Sequence, residues 1–202
     1  MGSYYYLAAQ LPHLFYGQKP PMSSSEFKDL AESLMSEGDA ALMRHLSLEP
    51  VPVFSKDEDP STASVTGGSS TGCKFIDDWQ DWERTLRFSC AKRRAVKLNR
   101  EKDIPADFSG TSLDAAGVAL KVMTGTVSPL EGEIIIDKAR WDAIEALAGS
   151  DYFDRNSIFA YFLKLLLLER RQSFDTEEGF TEYKTLYASI MESGQQSVGE
   201  PK

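Results

Sequence analysis

The stretch Ile158-Phe159-Ala160-Tyr161-Phe162-Leu163-Lys164-Leu165-Leu166-Leu167-Leu168 decides what kind of fold this chain can have. As a helix rising about 1.5 Å per residue it reaches roughly 16 Å, about half the thickness of a bilayer core. Lys164 also interrupts it. The segment therefore reads as a helix buried in a protein core, capped at its start by Asn156 and running through Glu169.

A helix buried this way needs amphipathic partners, and the chain supplies them on both sides. Upstream, Ser128-Pro129-Leu130-Glu131 combines a cap serine, a proline at the first helical position and a glutamate able to reach back to the cap. The helix it starts carries Ile134, Trp141, Ile144 and Ala148. Before that, Thr111-x-x-Asp114 caps a helix whose Leu113, Ala116, Leu120 and Met123 share a face. Phe75, Trp79, Trp82, Leu86 and Cys90 mark one stripe of a long helix reaching Leu98, expected to be a spine of the core. Downstream, Asp175-x-x-Glu178 caps a last helix with Phe180, Tyr183, Tyr187 and Ile190 in register.

Nearer the N-terminus, Pro20-Pro21 breaks the chain and Ser23-x-x-Glu26 forms a capping box for a helix bearing Phe27, Leu30 and Leu34. Gly38 can close that helix, and Asp39 can cap a second one carrying Leu42 and Leu46, making an αα-hairpin. From Ser55 to Gly72 the residues are mostly Ser, Thr, Gly, Asp and Lys with almost nothing to bury, which predicts a flexible loop. Little sheet is expected, with Tyr4 to Ala9 and Val51 to Phe54 the only candidate strands. The expected fold is all-α, a bundle of about six to seven helices. Its expected layout is an N-terminal hairpin over 1–54 packing on the main body, a loop over 55–72, a main bundle over 73–193 and a disordered tail over 194–202.

The chain of 202 residues is 42% apolar. That is enough for one respectable core. The net charge of -9, from 22 basic and 31 acidic residues, repels phosphate backbones and anionic lipid surfaces taken as a whole. Cys73 and Cys90 lack the C-x-x-C spacing of a zinc framework, and His13 and His45 are the only histidines to help them. They read as reduced thiols. The N-terminus, Met1-Gly2-Ser3 followed by three tyrosines, lacks the basic and apolar regions of a secretory signal, so the chain is expected to be cytoplasmic.

Three features suggest chemistry at first sight. Gly67-Gly68-Ser69-Ser70-Thr71-Gly72-Cys73-Lys74 looks like a phosphate-binding loop, but Cys73 stands where the lysine belongs and Phe75 where Ser or Thr is required. Asp77, Asp78, Asp81 and Glu83 crowd carboxylates near a helix start, where the macrodipole favours negative charge, so a solvated first turn explains them. Lys92, Arg93, Arg94, Lys97, Arg100 and Lys102, with Glu101 as the single acid among them, form a basic patch against the overall charge. A solvated helix end accounts for it, and so does docking to an acidic protein surface. Lys92, Arg93, Arg94, Lys97 and Arg100 are therefore the candidate partner-binding residues. No catalytic, cofactor-binding or metal-binding residues are expected.

Tyr4-Tyr5-Tyr6-Leu7-Ala8-Ala9-Gln10-Leu11-Pro12-His13-Leu14 with Phe27 to Glu32 opens the chain, and two blocks close it: Pro129-Leu130-Glu131 with Ile136 to Trp141, and Ala160 to Leu165 with Leu168 to Arg171. Together they resemble a bacterial protein family encoded within V-type ATPase operons. Tyr4 to Tyr6 and Leu165 to Arg170 also resemble the tyrosine-rich and Leu-x-x-x-Glu-Arg-like helices of the C-type adaptor of V-type ATPases, the helical protein that seats the rotary shaft on the membrane ring. That adaptor has three helical bundles, whereas this chain offers helices for about two. The resemblance implies a non-catalytic stalk or rotor adaptor that couples shaft to membrane ring and reaches the membrane peripherally, through the complex. An assembly or regulatory factor binding the ATPase transiently is the alternative. The expected partners are other V-type ATPase subunits, with no nucleic acid.

Overall fold

The computed structural model describes residues 4–49, 70–100, 113–124, 127–172, 181–187 and 189. The described residues are all-α, without a strand among them. Seven helices follow in order: α1 (Tyr5–Gln10), α2 (Ser24–Leu34), α3 (Glu37–Met43), α4 (Lys74–Lys97), α5 (Leu113–Met123), α6 (Pro129–Ala148) and α7 (Arg155–Gln172). Residues 181–187 are helical as well.

α7 is the central element, as its composition requires. Ile158, Phe159, Ala160, Phe162, Leu163, Leu165, Leu167 and Leu168 are all buried, so no narrow stripe but most of the helix surface is covered by neighbours. α6 packs along one side and α2 along another. Phe27 of α2 stacks on Tyr161 and Phe162 with ring centroids 5.3 and 5.4 Å away. Burying one such aromatic side chain contributes about 1.5–3 kcal/mol. Phe75 of α4 meets Phe159 at 6.3 Å. The backbone N–H of Ser24, in the first turn of α2, donates to Glu169 of α7 at 2.6 Å, so an orphan helix donor is satisfied by the core helix itself.

α1 to α3 enter the same core as the later helices, because Leu7, Phe27, Ala31 and Met43 lie in one buried cluster with Trp79, Leu86, Ile144 and Phe162. Trp79 and Trp82 stack on α4 with centroids 5.7 Å apart, and the Trp79 Nε1–H donates to the Ser47 carbonyl at 3.0 Å. Tyr4 donates its hydroxyl to Asp39, which also pairs with Arg155 of α7 at 3.3 Å.

Several local expectations shift. Tyr4 to Ala9 is not a strand: Tyr5–Gln10 is helical, with Leu7 buried. α2 ends at Leu34 rather than at Gly38, and Ser36 rather than Asp39 caps α3, its hydroxyl accepting from the Asp39 N–H. Asp39 is engaged instead by Tyr4 and Arg155. α7 begins at Arg155 and is capped by Asp154, which accepts from the Ser157 N–H at 2.8 Å, and it continues to Gln172. On α5 the buried face is Ala115 and Ala119, both fully enclosed, while Leu120 is exposed. Small side chains one turn apart let α5 lie close against α4, and that closeness turns the leucine outward. On α6, Trp141 and Ile144 are buried as expected but Ile134 is exposed. Thr111, Val51 to Phe54, Asp175 to Glu178 and the tail over 194–202 lie outside the described residues, as does the expected loop apart from Ser70, Thr71 and Gly72.

Candidate functional site

The last three turns of α4 carry the basic patch. The buried residues of this helix all fall between Phe75 and Leu86, so the segment after Arg87 runs along the surface. Its end is fixed by the backbone. Asn99 takes a left-handed conformation with φ 53°, the Asn99 N–H donates to the Val96 carbonyl at 3.1 Å and the Arg100 N–H to that of Ala95 at 2.9 Å. This is a Schellman closure, with asparagine in the place glycine most often takes.

Three- and four-residue spacing brings Arg87, Cys90, Arg94 and Lys97 to one wall of a cleft of about 730 Å³, whose other walls come from the end of α5, the start of α6 and Arg170 of α7. Val122, Met123, Val127 and Ile136 give it an apolar lining. Of the five candidate residues, Arg94 and Lys97 border the cleft; Lys92 and Arg93 lie elsewhere on the helix, and Arg100 lies beyond its end. Lys92, Arg94, Lys97 and Arg100 are exposed, and among the described residues none of the five is in an ion pair.

Beneath the cleft lies a charge network that departs from the sequence expectation. Glu83, expected on a solvated first turn, is 1% exposed. Arg140 of α6 grips it with two nitrogens, Nη2 at 2.6 Å and Nε at 3.1 Å, while Arg87 binds it from the next turn of α4 at 3.0 Å. The third nitrogen of Arg140 reaches Asp137 at 3.2 Å. Asp137 also receives Arg170 of α7 at 2.8 Å, and Arg170 ends on Glu133 at 3.0 Å. Burial opposes the charge on Arg140, but its hydrogen bonds to Glu83 and the charges of Glu83 and Asp137 outweigh this and raise its pKa above the ordinary value.

Among the described residues three acids face three arginines, so the pairs seen there balance. The positive character of the cleft therefore comes from Arg94 and Lys97. One signal could have revealed the network. Glu83 falls on the stripe of Trp79, Trp82 and Leu86, and a carboxylate in the middle of an apolar stripe requires a buried cation.

The other crowded carboxylates have plainer roles. Asp77 accepts from the Thr71 N–H at 2.8 Å, from the Thr71 hydroxyl at 2.8 Å and from the Ser70 hydroxyl at 2.7 Å. Burial pushes against ionisation, but these bonds hold its pKa below the usual value. The Ser70 and Thr71 donors of that stretch are thus turned towards the protein's own carboxylate.

A second cleft, of about 590 Å³, opens between the N-terminal segment, α6 and α7, lined by His13, Tyr152, Tyr161 and Lys164 among others. Lys164 binds Glu145 at 2.8 Å and thereby lowers its pKa, with Trp141 donating to the same carboxylate. Tyr161 donates to the Pro12 carbonyl at 2.9 Å, and burial pushes its phenol up to about 12. These groups are committed to holding the N-terminal segment and the helices together. Among the described residues no group of three or more His, Cys, Asp or Glu is placed to hold a metal ion, and no described helix is long and apolar enough to cross a membrane.

Fold and cleft define a helical bundle with a cation-edged, apolar-lined groove. Residues 122–194 match a family model described as protein of unknown function (DUF2764), a match that takes in the end of α5, all of α6 and α7, and the helix at 181–187. No curated protein and no solved structure matches the chain.

Proposed function

We propose that this chain is a non-catalytic adaptor subunit of a V-type ATPase, seated between the rotary shaft and the membrane ring, with the cleft beside Arg94 and Lys97 as its docking surface for an acidic partner subunit. One observation carries the docking surface. On a chain with a net charge of -9, two exposed cations without an acidic partner among the described residues stand beside an apolar cleft whose buried charges are already balanced. Complementary charge at such a rim speeds encounter and fixes register, while the apolar lining supplies area to bury. The assignment to a V-type ATPase is supported by the resemblance of both chain ends. The helical architecture is in keeping with it, and contact with the membrane comes only through the complex.

Purification of the ATPase from cells lacking this protein tests the reading. The expected outcome is an enzyme whose ATP hydrolysis is uncoupled from ion transport or whose shaft dissociates from the ring. Normal assembly and coupling overturn it. Presence at one stoichiometric copy in the purified complex is expected of an adaptor, whereas substoichiometric, transient association identifies an assembly or regulatory factor instead. In the complex, Arg94→Glu combined with Lys97→Glu is expected to weaken association by about tenfold or more, with a loss of its salt dependence.

A further inference from the structure

The cleft walled by α4, α5 and α6 differs in composition from the rest of the chain. Aromatic residues make up 11% of the sequence, yet among the described residues no ring lines this cleft. Its apolar wall is aliphatic and thioether, from Leu86, Val122, Met123, Val127 and Ile136. The second cleft, with Tyr152, Phe153, Tyr161 and His13 in its lining, has the opposite character. A wall without rings offers nothing for a nucleobase or another flat heterocycle to stack on. Aliphatic groups beside a pliable methionine suit a flexible chain instead. The charges are as selective. Among the described residues the lining holds Arg87, Arg94, Lys97, Arg140 and Arg170 against a single carboxylate, Glu133. Arg170 holds Glu133 at 3.0 Å, while Glu83 and Asp137 beneath take up Arg87 and Arg140. Arg94 and Lys97 are left over, exposed at the edge and one turn apart.

We infer that this cleft binds an amphiphilic anion, an aliphatic chain ended by a phosphate or carboxylate group, with the head between Arg94 and Lys97 and the chain along Val122, Met123 and Ile136. Pockets of about 300–1,000 Å³ enclose small ligands, and this cleft measures about 730 Å³. Neither half of such a ligand suffices alone. Two exposed cations hold a bare anion weakly in water, because solvent screens the pairs. Burial of the chain adds affinity with every methylene, and the charged head fixes which end faces out. The inference goes beyond the docking surface proposed above. An occupied cleft withholds Arg94 and Lys97 from an acidic partner subunit, yet the ligand binds or fails to bind in the isolated chain with no ATPase present.

Dodecyl phosphate, kept below its micelle-forming concentration, is the probe, and the full-length protein carries its own reporter. Cys90 lines the cleft and Cys73 is buried, so alkylation of the folded chain reads Cys90. At about ten times its dissociation constant the probe is expected to slow that alkylation about tenfold, and to raise the unfolding midpoint as a ligand of the native state does and a detergent does not. Shortening the chain to decyl phosphate, with two fewer methylenes to bury, is expected to weaken binding about tenfold. Arg94→Gln with Lys97→Gln is expected to weaken it by about the same factor. Lys92→Gln with Arg93→Gln, on the same helix but away from the cleft, leaves it unchanged. Protection by dodecanol equal to that by dodecyl phosphate overturns the inference, as does an equal loss from both pairs of substitutions or no protection at all. Binding to vesicles containing phosphatidic acid without binding of the free probe assigns the cations to a lipid surface and overturns it too.

Discussion

At the scale of single residues, the buried arginine carries most of the consequence. Arg140 compensates Glu83 and Asp137 together, and both carboxylates are almost fully enclosed. Removing one partner of a buried pair leaves an uncompensated charge, a loss of about 3–5 kcal/mol. Arg140→Ala is therefore expected to lower the stability of the whole chain by that order in chemical denaturation. Arg140→Met with Glu83→Leu and Asp137→Leu is expected to recover much of it, because apolar replacement of a whole buried network is often close to neutral. A single substitution that leaves the denaturation midpoint unchanged would show that water reaches Glu83. Arg94 offers the contrast. Exposed and without an acidic partner among the described residues, it is expected to matter for binding and hardly at all for stability.

At the scale of elements, helix starts are set locally. Ser128 accepts from the Glu131 N–H at 3.3 Å while the Glu131 carboxylate receives the Ser128 N–H at 2.9 Å. The two bonds make a reciprocal box with Pro129 at the first helical position. The backbone bond from Ser128, foremost, holds Glu131 below its ordinary pKa. Ser128→Ala is expected to cost about 1 kcal/mol, as cap removal usually does. Because α6 carries Gly132, Glu133 and Arg140 into the cleft wall, faster exchange should appear first in its opening turn, where amide exchange can locate it. Helix faces obey a different rule. Ala115 and Ala119 are buried against α4 in place of the larger Leu120, since the distance between two axes, and not the size of a side chain, decides which residue fits.

At the scale of the molecule, two carboxylates, Asp39 and Glu145, tie segments distant in sequence, and the shifted carboxylates titrate with one sign. Glu26, Asp39, Asp77, Glu131 and Glu145 all have lowered pKa values. For Asp39, burial works against ionisation, but hydrogen bonds from Tyr4 and Arg155 prevail. A carboxylate held below its unfolded value, about 3.9 for Asp and about 4.3 for Glu, adds stability above that pH and loses it as the pH falls through the lower, folded value. Stability is thus expected to be retained down to about pH 4 and to decline below it. Asp39→Asn should reduce stability at neutral pH and flatten the decline in acid, read from denaturation midpoints between about pH 2 and 7. Equal slopes for the two proteins would mean that the tie between the N-terminal hairpin and α7 contributes nothing.

By itself the sequence determined the all-α class, the identity of α7 as a core helix, the capping boxes at Ser23 and Ser128 and the aromatic spine of α4. Each rests on bonds between near neighbours or on a period repeated along one segment, and both are written locally. Only the tertiary structure decided that Glu83 is buried, that Asp39 serves Tyr4 and Arg155 instead of a cap, and that two of the five basic candidates border a cleft. Glu83 and Arg140 stand 57 positions apart, and a charge between two elements has its meaning fixed by what the fold places opposite it. The sequence states how many charges the chain carries, whereas the packing of α4 against α6 settles which are neutralised inside and which face outward.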